Sequence, residues 1–340
     1  MLRALTPLRL ALTGLALLAL TVLILWQVRS DSYLLVPDPA HPVAPLVEVQ
    51  GGHDPKGPGG IYFVDVLELR ASILDELFPK VLHGDGASLV PATQVVPPGT
   101  NDRTARRIDL RMMQMSQKIA AAVALRTLGY KVMVRPIGVL VDSVLEGSGA
   151  VGQLEPTDVI VSLDGHAVRT FADLHRELGR HRIGEVVTVG VRSGDRLTAV
   201  HVKLTRLRPH SNFPAIGMFP EQATDVRLPL QVTIDAGNVG GPSAGLPFAL
   251  EVMEELGRDV ARGYRVAATG QLAPDGRVIP IGGVKQKTYG ARDAKMDVFL
   301  VPAGDNARDA RRYAGPLRII AVRNFQQALR ALATLPRKVS

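Results

Sequence analysis

The sequence predicts a mixed α/β (α+β) protein preceded by one transmembrane helix. Three observations predict it: an uncharged apolar run near the N-terminus, several β-branched stretches with partial apolar–polar alternation, and one long segment with apolar residues at helical spacing. The 340 residues are 46% hydrophobic and 21% charged, enough to bury a sizeable core and divide into more than one domain. The absence of cysteine excludes disulfide scaffolds, thiolate metal sites, Cys nucleophiles and CxxC redox chemistry. Forty Lys and Arg against 32 Asp and Glu leave a formal charge of +8, a balance that suits a polyanion or an anionic membrane surface. With only 4% aromatic residues there are few stacking platforms for single-stranded nucleic acid, so no nucleic-acid partner is expected.

Residues 10–28, from Leu10 to Val28, carry no charge and are long enough as a helix to span a hydrocarbon core of roughly 30 Å. A cleaved signal peptide would have a shorter apolar region and a small-residue cleavage site, whereas Trp26-Gln27-Val28-Arg29 stands here, with Trp26 placed as an interfacial anchor. Arg3 and Arg9 precede the run, against Arg29 and Asp31 after it. The positive-inside rule then makes residues 1–9 a cytoplasmic n-region and places the rest outside the cytoplasm, as a single-pass cell-membrane protein. Residues 29–58, with Val36-Pro-Asp-Pro-Ala-His-Pro-Val-Ala-Pro45, read as a stiff Pro-rich linker. Ile61 to Leu69 reads as a strand, and Pro79 to Thr104, rich in Gly, Pro and small polar residues, as a long loop or flap. From Thr104 to Leu128, Ile108, Met112, Met115, Ile119 and Val123 mark a long amphipathic helix ended by Gly129. Its methionines read as core filler, and its Arg and Lys residues as a solvated face.

From Val132 the pattern changes to short strands: Gly138-Val-Leu-Val-Asp-Ser-Val144, then Gly147-Ser148 and Ala150, Leu154, Asp158-Val-Ile160, Asp164-Gly165, a Phe171 to Leu178 helix, and two alternating runs about a Ser193-Gly-Asp195 turn. This stretch resembles a bacterial-type PDZ domain over residues 132–207. The resemblance implies a groove beside the Gly138 strand, where an extended peptide adds as a β-strand and Ile137, Gly138 and Val139 cradle its terminal carboxylate. The competing reading is that Ile137 and Val139 are merely strand core. The family usually has Gly where Thr157 stands, which should shift the geometry of one turn.

Ser243 sits in Gly240-Gly-Pro-Ser-Ala-Gly245, between an apolar-alternating run and a segment of helical periodicity. A Gly-flanked Ser at a helix start can expose its hydroxyl beside backbone N–H groups, here those of the Gly241, Pro242, Ser243 and Ala244 stretch, that stabilise an oxyanion. Read locally, the same Ser is as well an N-cap. Further on stand Ala268-Thr-Gly-Gln271, Val278-Ile-Pro-Ile-Gly-Gly-Val-Lys-Gln-Lys287 and Val298-Phe-Leu-Val-Pro302. Together with GPSAG and with Met115-Ser-Gln-Lys-Ile-Ala-Ala-Ala-Val123 upstream, these motifs resemble the proteolytic domain of the Lon family, in the arrangement of the membrane-anchored, PDZ-containing Lon-like proteins of bacteria.

That resemblance implies a Ser-Lys dyad with Ser243 as nucleophile, Lys287 as general base and Thr269 in support of the lysine. An amine can serve as that base only if burial lowers its pKa from about 10.4 toward neutrality. Lys285 is the second candidate for the base, and Lys295 reads as an exposed helix-end residue. No His follows His210 to complete a Ser-His-Asp triad, and no H-x-x-x-H or HExxH metal motif is present, so no metal and no cofactor are expected. The resemblance further implies residues 59–131 as the N-terminal part of the protease domain, residues 132–207 as a PDZ insertion, residues 208–340 as the catalytic part, and assembly into a homo-oligomer, with a hexamer as the family precedent. Two departures stand out. Gly240 occupies the position where Lon enzymes carry an Asp, and no G-x-x-x-x-G-K-[ST] occurs, so ATP is not an expected ligand. The expected activity is ATP-independent cleavage of flexible or unfolded proteins, recruited by the PDZ unit, with their C-termini as candidate recruiting elements. The alternative is a non-catalytic scaffold that captures partner C-termini.

Overall fold

A computed structural model describes residues 7–53, 59–97, 100–206 and 212–338. Arg3, on which the charge asymmetry before the first helix partly rests, and the segment about the 207/208 domain boundary lie outside the described residues.

The first helix, Pro7–Gln27, has a mean hydropathy of 2.3 and no buried residue, and is long and apolar enough to cross a membrane. The segment after it is not the spacer expected from its prolines. Arg29–Pro37 is a strand whose one edge pairs antiparallel with Val66–Ser72 and whose other edge pairs with Ser88–Pro91. The prolines stand at the end of that strand and beyond it, so they interrupt no central ladder, while Tyr33 and Leu34 bury inward. The expected loop between Pro79 and Thr104 is likewise partly regular, since it holds a short helix, Pro79–His83, and that third strand. Its positions 98 and 99 lie outside the described residues.

The long helix runs Asp102–Thr127 and is capped by Asn101, whose side chain accepts from Thr104 N. Of its methionines Met113 is fully buried, and the alanine run from Ala120 to Ala124 lets it pack closely against the Gly245–Glu255 helix. Behind these helices lies a five-stranded sheet in the order His41–Pro42, Gly60–Phe63, Arg265–Ala268, Val298–Pro302, Arg318–Val322. All its pairings are parallel except the first. Helices cover both faces, and this explains why Val298-Phe-Leu-Val-Pro302 is apolar at every position instead of alternating: each residue is buried.

A second core is separate from this one. It is built from Val139, Ile160, Leu163, Val189 and their neighbours. The strands Met133–Val144, Val159–Leu163, Val186–Ser193 and Arg196–Lys203 form its sheet, with the Phe171–Leu178 helix against it. That helix begins at Thr170 with a reciprocal capping box to Asp173. The sheet has six strands in all: His166–Ala167 pairs with Val159–Leu163, and Met218–Arg227 pairs antiparallel along the free edge of Met133–Val144.

Candidate active site

Three segments converge on Ser243. The loop after Val232–Ile234 brings Gly240-Gly-Pro-Ser to the start of the Gly245–Glu255 helix. Its residues are pinned from the long helix: Ser116 Oγ donates to Pro242 O at 2.9 Å, and Gly241 N donates to Asp109 O at 2.9 Å. The N-cap residue of the following helix is Ala244, and the Ser243 hydroxyl faces Lys287 instead of capping. The second segment is the end of the Arg265–Ala268 strand, where Gly270 N donates to Ser243 O at 2.8 Å and Thr269 Oγ1 donates to the same carbonyl at 3.3 Å. The third is the Val284–Asp293 helix, entered through Gly283 in a left-handed conformation with φ of 67°.

Lys287 lies one turn into that helix and is 5% exposed. Its Nζ donates to Ser243 Oγ at 2.7 Å and stands 3.5 Å from Thr269 Oγ1. Burial lowers the Lys287 pKa to about 8, and the carboxylates of Asp65 and Glu68 hold it from falling further. Lys285, two positions earlier, points to the other side of the helix and donates to Ala87 O at 2.9 Å. Lys295 is exposed past the helix end.

Of the backbone positions expected to face an oxyanion, two are spent. Pro242 has no N–H, and the Gly241 N–H is bonded to Asp109. The N–H groups of Ser243 and Ala244 are left at the helix start.

Several groups around the Ser243–Lys287 pair carry no motif that would single them out in the sequence. Asp65 lies between the Gly60–Phe63 and Val66–Ser72 strands, and burial together with the neighbouring Asp38 raises its pKa to about 6. His41 Nε2 is 2.8 Å from Asp38 Oδ2 and 3.9 Å from Asp65 Oδ1, so these three side chains have the donor types of a divalent-cation site, used here in His–carboxylate pairing. Asp109 fills the space beside Gly240: a Cβ built on Gly240 would stand 2.7 Å from Asp109 Cβ. Burial raises the Asp109 pKa to about 6. Their sequence context gives no signal for a site, since Asp38 and His41 stand in a Pro-rich stretch, Asp65 between two strands, and Asp109 among the arginines of a helix, where carboxylates are common on solvated faces.

At Ile137, Gly138 and Val139 the open groove expected from the sequence is corrected. The edge is occupied by Met218–Arg227, with Ala223 opposite Gly138 and Gln222 opposite Val139. Val139 is fully buried in the core, and Gly138 is required because a Cβ there would come within 2.5 Å of Ile160 O. Thr157 takes a left-handed conformation, φ of 74°, that favours glycine, so the residue carries the strain.

Residues 198–333 match the Lon protease (S16) C-terminal proteolytic domain. The chain carries a Lon-type proteolytic domain. Residues 113–204 match the PDZ domain family. Among curated relatives, the Lon protease of Helicobacter pylori is 37% identical over 106 residues, which is 30% of this chain and 13% of that protein. Lon protease 1 of Bacillus subtilis is 36% identical over 95 residues, 28% of this chain and 12% of that protein. The chain therefore spans a small fraction of the length of these relatives. A solved structure of the PDZ domain of the SdrC-like protein from Listeria monocytogenes is 26% identical and covers 25% of this chain and 87% of that one, with a TM-score of 0.24. The Lon match covers the serine loop, Thr269 and the lysine helix, so the residues that form the dyad geometry all lie inside it.

Proposed function

We propose that this chain is a membrane-anchored serine endopeptidase that cleaves flexible or unfolded polypeptides without ATP, with Ser243 as nucleophile and Lys287 as general base. The observation that carries the reading is the 2.7 Å contact between a buried lysine amine of lowered pKa and a serine hydroxyl at a helix start. In its neutral form Lys287 Nζ takes the Ser243 proton as Oγ attacks the scissile carbonyl carbon. The oxyanion that forms is held by the N–H groups of Ser243 and Ala244 at the positive end of the Gly245–Glu255 helix. The Lys287 ammonium then protonates the leaving amine as the C–N bond breaks; neutral again, Lys287 Nζ takes a proton from a water that attacks the acyl carbon and returns it to Ser243 Oγ as the ester bond breaks. Thr269 keeps Nζ and the Ser243 carbonyl in register through its single hydroxyl.

The domain division that fits this reading is a protease domain from residues 59–131 and 208–340, interrupted by a PDZ unit at residues 132–207. Pro7–Gln27 acts as the anchor, with the N-terminus cytoplasmic and the catalytic part outside. No Walker-type phosphate loop is present in the 340 residues, which supports independence from ATP. Copies of the chain assemble as a homo-oligomer, following the Lon precedent.

The test is hydrolysis of unfolded casein and of fluorogenic peptides without ATP, comparing the natural chain with Ser243→Ala and Lys287→Ala. Both variants should lose about 10⁴-fold or more in rate while keeping the melting temperature. Cleavage that survives Ser243→Ala, or no cleavage by the natural chain under any of these conditions, would falsify the reading and leave a peptide-binding scaffold.

A further inference from the structure

We propose that the peptide groove of the PDZ unit is held closed by the chain's own Met218–Arg227 strand, and that an extended polypeptide enters it by exchanging with the upper part of that strand. The proposal rests on the reading of this unit as peptide-binding and is independent of the dyad chemistry.

The groove lies between the Met133–Val144 strand and the Phe171–Leu178 helix. The resident strand runs along it in the antiparallel sense in which a strand is added to an open sheet edge. Gln222 clamps it to both walls. Its Nε2 donates to Gly138 O at 2.8 Å and to Arg169 O at 2.9 Å, and its Oε1 accepts from Phe171 N at the start of the helix. Just upstream, the ring of Phe213 stacks on His175 of the same helix with centroids 4.2 Å apart.

The pairing is divided. The register slips between Ala223 and Thr224 and again between Phe219 and Pro220. Below the first slip, Thr224–Arg227 lies against Met133–Pro136 and joins the two connections to the protease core. Above it, Met218–Ala223 lies against Gly138–Val144 and covers the stretch a peptide would use.

That upper part is a weak occupant. Met218 and Ala223 are its only buried residues, Phe219 is 55% exposed, and Pro220 has no N–H to give to the ladder. An incoming extended chain can make the same main-chain bonds, so the two compete on nearly equal terms. The resident strand prevails by being tethered, which acts as a local concentration on the order of millimolar. An outside peptide is therefore bound with its intrinsic affinity reduced by the fraction of time the groove is open.

The chain has no cysteine, so a single engineered disulfide can lock the strand. Ser143 faces Phe219 across the upper pairing, and Ser143→Cys with Phe219→Cys closes it on oxidation. The probe is a fluorescein-labelled synthetic peptide with the sequence of residues 214–223, its binding read by fluorescence anisotropy on full-length protein in detergent. All proteins carry Ser243→Ala, so the reading does not depend on cleavage. The natural groove should bind the peptide weakly, and Gln222→Ala should bind it roughly tenfold more tightly because the clamp on the competing strand is lost. The oxidised double-cysteine protein should not bind it, and reduction should restore binding. Equal binding by the oxidised and reduced forms, or no gain from Gln222→Ala in a protein of unchanged circular dichroism, overturns the proposal. Loss of the peptidase reading in the casein assay would leave these binding results as they stand.

Discussion

In the proposed dyad Lys287 Nζ has to be uncharged to take a proton from Ser243, so its pKa would set the pH at which the hydroxyl becomes a nucleophile. With that pKa near 8, kcat/KM for a fluorogenic peptide should rise with pH and level off above an apparent pKa of about 8. Asp65 favours the charged amine, so Asp65→Asn should move the midpoint of the profile to lower pH; an unmoved midpoint would separate Asp65 from the dyad. Thr157 supports a second expectation, since it combines φ of 74° with a buried hydroxyl that has no hydrogen-bond partner. Thr157→Gly should stabilise the PDZ unit by about 1 kcal/mol, the relief of strain exceeding the entropy that glycine adds to the unfolded chain, as urea denaturation would register. Both residues show what residue type alone conveys. The lysine's candidacy was legible from GGVKQK, whereas its carboxylate neighbours, Asp65 between two strands and Glu68 on the second of them, lie far away in sequence.

The Gly245–Glu255 helix is buried along nearly its whole length, and this includes Glu251, 1% exposed with Oε1 unpartnered. Burial, with Glu254 and Glu255 close by, raises the Glu251 pKa to about 8 from an ordinary 4.5. Between those values the folded protein holds a proton that the unfolded chain releases, so stability should fall as pH rises through that window. Glu251→Gln should narrow the difference in melting temperature between pH 5.5 and pH 8.5; an unchanged difference would show that this carboxyl does not govern the alkaline loss. Among the elements, the long helix and the PDZ strands were legible, because amphipathic spacing and turn residues are local signals. The Arg29–Pro37 strand was not, since its proline-rich continuation masks a pairing made with residues 66–72 and 88–91.

Across the whole molecule, two cores are joined by the paired strands Met133–Val144 and Met218–Arg227. The first continues from the helix that pins the serine loop, and the second leads through Val232–Ile234 into that loop. At the other end, Val28 O accepts from Ile73 N, so the first helix is attached directly to the folded part without a spacer. The full-length chain should therefore remain in the membrane pellet after an alkaline carbonate wash, and a fragment of residues 28–340 should be released; retention of that fragment would point to a second membrane contact.

Residue patterns by themselves determined the apolar first helix and the PDZ-like and Lon-like segments, because each is written in contiguous motifs, and they made Ser243 and Lys287 candidates through the Lon resemblance while leaving Ser243 equally readable as an N-cap. Tertiary structure alone decided that Ser243 meets Lys287 instead of capping its helix, that Asp65 and Asp109 crowd the same site, and that the groove beside Gly138 is filled by the chain itself. The physical reason is that burial, pKa and edge pairing belong to neighbours brought together across long loops, and no spacing along the chain encodes which edge a distant strand will cover.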